Sequence, residues 1–194
     1  MSKFSEFEVA HGGSDRLYYM HSEFPMGTYA TAYTFKLVTW KYGRLPIVFS
    51  NCDFERCVFD RVDLRFVVFL DCKFDQCVFK NCKLDMSVFV DCSGHALAFR
   101  RCSATDMLIM HGMFDGVSYS FSKMQDTRIT VNTEYLAPMV FFKCDLEGAN
   151  IANVAHMQYH GMFGKPAIAK DRVSVKMNKC LGNYGLEGFQ YVST

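Results

Sequence analysis

The chain has 194 residues, half of them hydrophobic, with 21 basic and 20 acidic side chains and a formal net charge of +1. That length can bury a substantial core in one domain, and the balanced charge argues against a broadly basic nucleic-acid binder and against a surface that imitates DNA phosphates throughout. No apolar run approaches the roughly 20 residues that cross a bilayer, and the opening MSKFSEFEV sets acidic residues where a secretion signal carries an unbroken apolar stretch, so the expected location is the cytoplasm.

Residues 1–46 carry two strand-like stretches, LYYM and TAYTFKLVTWKY, separated by Gly27 and ending before Pro46. They are expected to cap the repeat that follows, because an open stack of coils exposes unpaired backbone and an apolar cross-section.

From residue 47 a period of five dominates. Every fifth residue from Phe49 is large and apolar, through Phe54, Phe59, Leu64, Phe69, Phe74, Phe79, Leu84 and Phe89, until Gly94 interrupts before Phe99. Two residues earlier in each unit runs a small or medium series: Ile47, Cys52, Cys57, Val62, Val67, Cys72, Cys77, Cys82, Ser87 and Cys92. A helix repeats near 3.6 residues and a strand at 2.0, so neither accounts for this spacing. A coil with a corner in every unit does, with its large and small residues both turned inward. Most of the nine cysteines share one register, which fits free thiols at a repeated interior position better than CxxC zinc knuckles or a disulfide scaffold.

The run NCDFERCVFDRVDLRFVVFLDCKFDQCVFKNCKLDMSVF, with CDLEGANIANV later, resembles the pentapeptide-repeat family, whose usual unit is A(D/N)LXX. Cys144-Asp145-Leu146 and Ala149-Asn150-Ile151 carry the unit in its usual form; elsewhere Cys often replaces Ala and Phe replaces Leu. The resemblance implies an all-β fold, a right-handed quadrilateral β-helix with four units per coil, here over residues 47–156 between non-repeat caps. Stacking residues twenty apart then aligns Phe49, Phe69, Phe89 and Ile109 on one side and Phe59, Phe79, Phe99 and Tyr119 on another. At Gly94 the expectation is a bend or a small void.

The register slips by two residues near 129–138, after which the large series reads Val131, Leu136, Phe141, Leu146 and Ile151. A loop over Asn132 to Pro138 absorbs the slip. Residues 157–194 lack the repeat and are expected to form a second cap or a dimerisation segment.

The residue before each large core position points outward, and there valines recur on two opposite sides. On one of them Phe66, Val68 and Leu70 lie beside Met86, Val88 and Val90. A contiguous apolar patch outside a folded core marks an interaction surface unless a terminal segment covers it. The chain is therefore read as a non-enzymatic protein-interaction module, for a protein partner of unknown identity or a second copy of itself. The resemblance also implies an alternative, because some pentapeptide-repeat proteins imitate DNA and bind type II topoisomerases such as gyrase, protecting or inhibiting them. Asp53, Glu55, Asp60, Asp63, Asp71, Asp75 and Asp91 are the candidates for that acidic surface, provided they form one connected face.

No phosphate-binding glycine loop, HExxH motif or nucleophile elbow is present. His111-Gly112-Met113-Phe114 recurs at 160–163 without a nucleophile or base beside it, and His156, His160 and Cys180 do not close a metal-ligand set. No catalytic residue, cofactor or metal is expected. The basic residues of the tail, among them Lys165, Lys170 and Arg172, read as a solvated face, and direct nucleic-acid binding is not expected.

Overall fold

The computed structural model describes residues 17–20, 29–31, 34–41, 48–131, 139–153, 174–183, 185–187 and 190–193. Every regular element among them is a β-strand, and all the strand pairs are parallel. The architecture is the right-handed quadrilateral β-helix expected from the repeat. Successive coils stack at the twenty-residue register: Val68, Phe69 and Leu70 pair with Val88, Phe89 and Val90, and Phe79 pairs with both Phe59 and Phe99.

Each coil has four sides. The first is centred on Phe49, Phe69, Phe89 and Ile109, the second on Phe54, Phe74, Gly94 and Phe114, and the third on Phe59, Phe79, Phe99 and Tyr119. The fourth is held by single bridges that run Asp63 to Lys83 to Ser103 to Lys123 to Asp145. The large and small residues of each unit both point inward and form one continuous core. Rings twenty apart stack face to face, as Phe59 on Phe79 at 4.3 Å and Phe54 on Phe74 at 4.9 Å between centroids. That geometry follows from the strand spacing of about 4.8 Å, which sets offset-stacked rings in contact.

The corners recur every fifth residue, and nearly all use a left-handed backbone on residues other than glycine. Examples are Asn51 (φ 52), Arg56 (φ 53), Arg61 (φ 57) and Phe66 (φ 64). Asparagine and aspartate tolerate that region, whereas a bulky side chain there is disfavoured. The small inward thiols bind adjacent coils together. Cys77 donates to the Phe54 carbonyl at 3.2 Å and Cys82 to the Phe59 carbonyl at 3.3 Å. Eight of the nine cysteines are fully buried, and Cys180 is half-buried.

The stack extends beyond the repeat at both ends. Phe35 stacks on Phe54 at 5.0 Å and Trp40 on Phe59 at 4.6 Å, so residues 29–31 and 34–41 belong to a coil directly beneath the first repeat. After the repeat, Ser174–Asn178 pairs with Met139–Phe142, and Gly185–Glu187 with Asn150–Ala152. Ile109 pairs with Ile129 at the twenty-residue register, whereas Tyr119 pairs with Phe141, two residues late. Residues 132–138 and 154–173, and with them the expected loop, Leu136, His156 and His160, lie outside the described residues. At Gly94 the backbones approach closely, since a Cβ would overlap the Phe74 carbonyl oxygen.

Candidate interaction faces

The strand pattern gives each coil two outward positions per side, flanking the inward ring. On the first side these are Val48 and Ser50, Val68 and Leu70, Val88 and Val90, then Leu108 and Met110. The register sets each directly above its counterpart, so four coils present a sheet face with no charged side chain and one hydroxyl. All eight are half-buried by their neighbours. The six residues singled out by sequence, Phe66, Val68, Leu70, Met86, Val88 and Val90, come together here. Phe66 and Met86 form the adjoining corner, 53% and 51% exposed, with left-handed φ of 64 and 57. Val48, Leu108 and Met110 enlarge the face; the same twenty-residue spacing carried to the next coils identifies them. The side continues through Arg128 and Thr130 to Asn150 and Ala152, so the uncharged run stops at Arg128.

The seven acidic candidates separate. Asp53, Glu55 and Asp75 sit on the second side, and Asp71 and Asp91 on the corner between first and second sides. Lys73 interrupts them, pairing in register with Asp53. Lys36 bonds Glu55 at 2.9 Å, and that hydrogen bond holds the carboxyl below its usual range. Asp60 belongs to the third side, is only 6% exposed and is bound by Lys80 at 3.2 Å. Asp63 lies on the fourth side, where Arg65 clasps it through two hydrogen bonds. The second side also carries two histidine–carboxylate contacts, His95 with Asp115 at 3.1 Å and His111 with Asp91 at 3.3 Å.

Among the described residues no group of three or more His, Cys, Asp or Glu side chains is arranged to hold a metal. Burial raises the Cys144 thiol to about 11, and a thiol that stays protonated is a poor nucleophile. No helix among the described residues is long and apolar enough to cross a membrane.

Residues 47–94 match eight copies of the pentapeptide-repeat family. No curated protein matches the chain. Among solved structures, a trypsin-treated form of QnrB1, a plasmid-mediated fluoroquinolone resistance protein, is similar at 14% identity and a TM-score of 0.33, covering 89% of this chain and 91% of that one. HetL, a pentapeptide repeat protein involved in heterocyst differentiation regulation from the cyanobacterium Nostoc, is similar at 10% identity and a TM-score of 0.34, covering 77% and 78%.

Proposed function

Taking as premise that the chain is a pentapeptide-repeat protein, we propose that it is a non-enzymatic interaction module whose first side docks a protein partner. The observation that carries this reading is the uncharged outer face from Val48 to Met110, bounded by exposed Phe66 and Met86. Stability does not account for those two corner residues. A bulky side chain in the left-handed region costs on the order of 1 kcal/mol, and asparagine or aspartate would fit there at less cost. Asp106 and Asp126 occupy the equivalent corner in later coils. Exposed apolar side chains retained at a strained position support a surface kept for recognition.

The test compares the native protein with two variants, Val68→Glu/Val88→Glu and Phe66→Asn/Met86→Asn, in affinity capture from nuclease-treated host lysate and in sedimentation. Both variants are expected to keep a native melting transition and to lose the captured partner, or the dimer if the partner is a second copy. Retention of every partner by both folded variants sinks the assignment.

The second reading is a DNA mimic directed at a type II topoisomerase. Asp71 and Asp91, one above the other on the corner between the first and second sides, favour it, and the interrupting Lys73 ranks it second. A supercoiling assay with purified gyrase tests it: inhibition, or protection from a quinolone, that disappears on Asp71→Asn/Asp91→Asn would move it to first place.

A further inference from the structure

The net charge of +1 conceals two corners of opposite character. The corner between first and second sides carries Asn51, Asp71, Asp91 and His111, whereas the diagonally opposite corner, between third and fourth sides, carries Arg61, Asn81, Arg101, Phe121, Lys143 and Lys179. From coil 100 upward, the strip along this second corner holds five cations, Arg100, Arg101, Lys123, Lys143 and Lys179, all exposed, against the single carboxylate Asp145. None of the five makes an ion pair among the described residues. Asp145 is itself engaged by Gln125 at 3.0 Å.

An aromatic side chain stands in the middle of this strip. Phe121 is 48% exposed at a left-handed corner (φ 53), where a bulky side chain is disfavoured. Its ring packs edge-on against Phe142 at 5.3 Å, with the Arg101 guanidinium 5.9 Å and the Lys143 ammonium 5.3 Å from its centroid. Residues in this column are spaced by one coil, about 4.8 Å, so the cations form a line rather than a cluster. A line of unpaired cations interleaved with an exposed ring matches a chain that alternates anionic groups with flat π faces. An acidic peptide would use the charges and leave the ring idle; a duplex has its bases already stacked.

We propose that the corner between the third and fourth sides binds single-stranded nucleic acid, with Arg101, Lys143 and their neighbours on the phosphates and a base stacked on Phe121. The site is separate from the apolar first side, so either can fail without the other.

The experiment is fluorescence anisotropy of a labelled oligothymidylate with the full chain, titrated at several salt concentrations. Binding is expected to weaken with salt, with a slope of about −0.7 for each phosphate neutralised. Phe121→Ala is expected to weaken binding about 5- to 100-fold, the range given by loss of one base–aromatic stack, with the salt slope unchanged. Lys143→Gln is expected to lower the slope by about 0.7. Phe121→Trp, which restores a stacking surface, is expected to bind at least as well as native and guards against a folding defect in the alanine variant. Absence of binding at low salt overturns the proposal, as does binding indifferent to Phe121. Equal affinity for polyglutamate would assign the strip to an acidic protein surface instead, and a sedimentation shift without added oligonucleotide, abolished by Asp71→Asn/Asp91→Asn, would assign it to the acidic corner of a second copy.

Discussion

The second and third sides are built from the same five-residue unit, yet their ring columns behave differently. On the third side six aromatic rings stack without a break from Trp40 through Phe59, Phe79, Phe99 and Tyr119 to Phe141, at centroid separations of 4.3 to 5.0 Å. On the second side the column runs Phe35, Phe54, Phe74 and stops at Gly94. The two-residue slip falls between Tyr119 and Phe141, inside the unbroken column, while Gly94 sits in perfect register. A two-residue change of register therefore leaves this ring column intact, whereas a single in-register change interrupts the other. The interruption propagates upward: Phe114, deprived of a ring beneath it, leans over Gly112, where an added Cβ would lie 2.5 Å from the ring. Gly112 thus ends the thiol column of Cys52, Cys72 and Cys92 because the displaced ring has taken its space.

This contrast can be broken most directly by truncating one ring in each column. Phe79→Ala removes a fully buried ring stacked on both sides and is expected to cost about 3 to 5 kcal/mol, read as a lower denaturation midpoint in urea. Phe114→Ala is expected to cost measurably less, because Gly94 rather than a ring lies beneath it and among the described residues no ring stacks on it; equal losses would show that ring stacking contributes nothing beyond burial. Gly94→Ala is expected to destabilise by about 1 to 3 kcal/mol, since its methyl meets the Phe74 carbonyl and the strand must shift. A neutral result would mean the second side relaxes freely at the break.

Alkaline pH probes the third column chemically. Burial raises the Tyr119 phenol well above its ordinary range, and raises the neighbouring Cys144 thiol to about 11. Both groups hold their protons more tightly when folded, so their contribution to stability is complete below the unfolded pKa values, near 8.5 for the thiol and 10 for the phenol. It is lost as pH rises through the folded values. The melting temperature is expected to fall from about pH 9 upward, and Tyr119→Phe/Cys144→Ala to flatten that fall. The smallest effect is a gain: the Ser87 hydroxyl is buried with no hydrogen-bond partner, where the coil below places Val67. Ser87→Val is expected to stabilise by roughly 1 kcal/mol, measured in the same urea titration.

The inward pattern was legible because burial imposes it on every unit, and a period of five has no competing explanation. The coil containing Phe35 and Trp40 is harder to see in the sequence, because its partners lie nineteen residues on and the phase is lost across 42–47 even though the two residues keep the spacing of five. Val48, Leu108 and Met110 carried the signal of Val68 and Val88 and needed only the ladder drawn further. The left-handed corners left no such mark: Arg, Phe, Met, His and Gln all occupy them, and side-chain identity does not betray a backbone imposed by the coils around it. The cationic strip was hidden for a related reason, since Arg101, Phe121 and Lys143 are far apart in sequence and the last is displaced by the slip.

Charges of opposite sign on diagonally opposed corners give the rod a permanent transverse dipole. Near any charged surface the molecule is turned about its long axis before it touches, presenting the lysine- and arginine-bearing edge to a negative surface and the aspartate-bearing edge to a positive one. A protein whose ionisable groups nearly cancel is therefore expected to be retained by both cation- and anion-exchange resins at low salt, each resin holding the opposite edge.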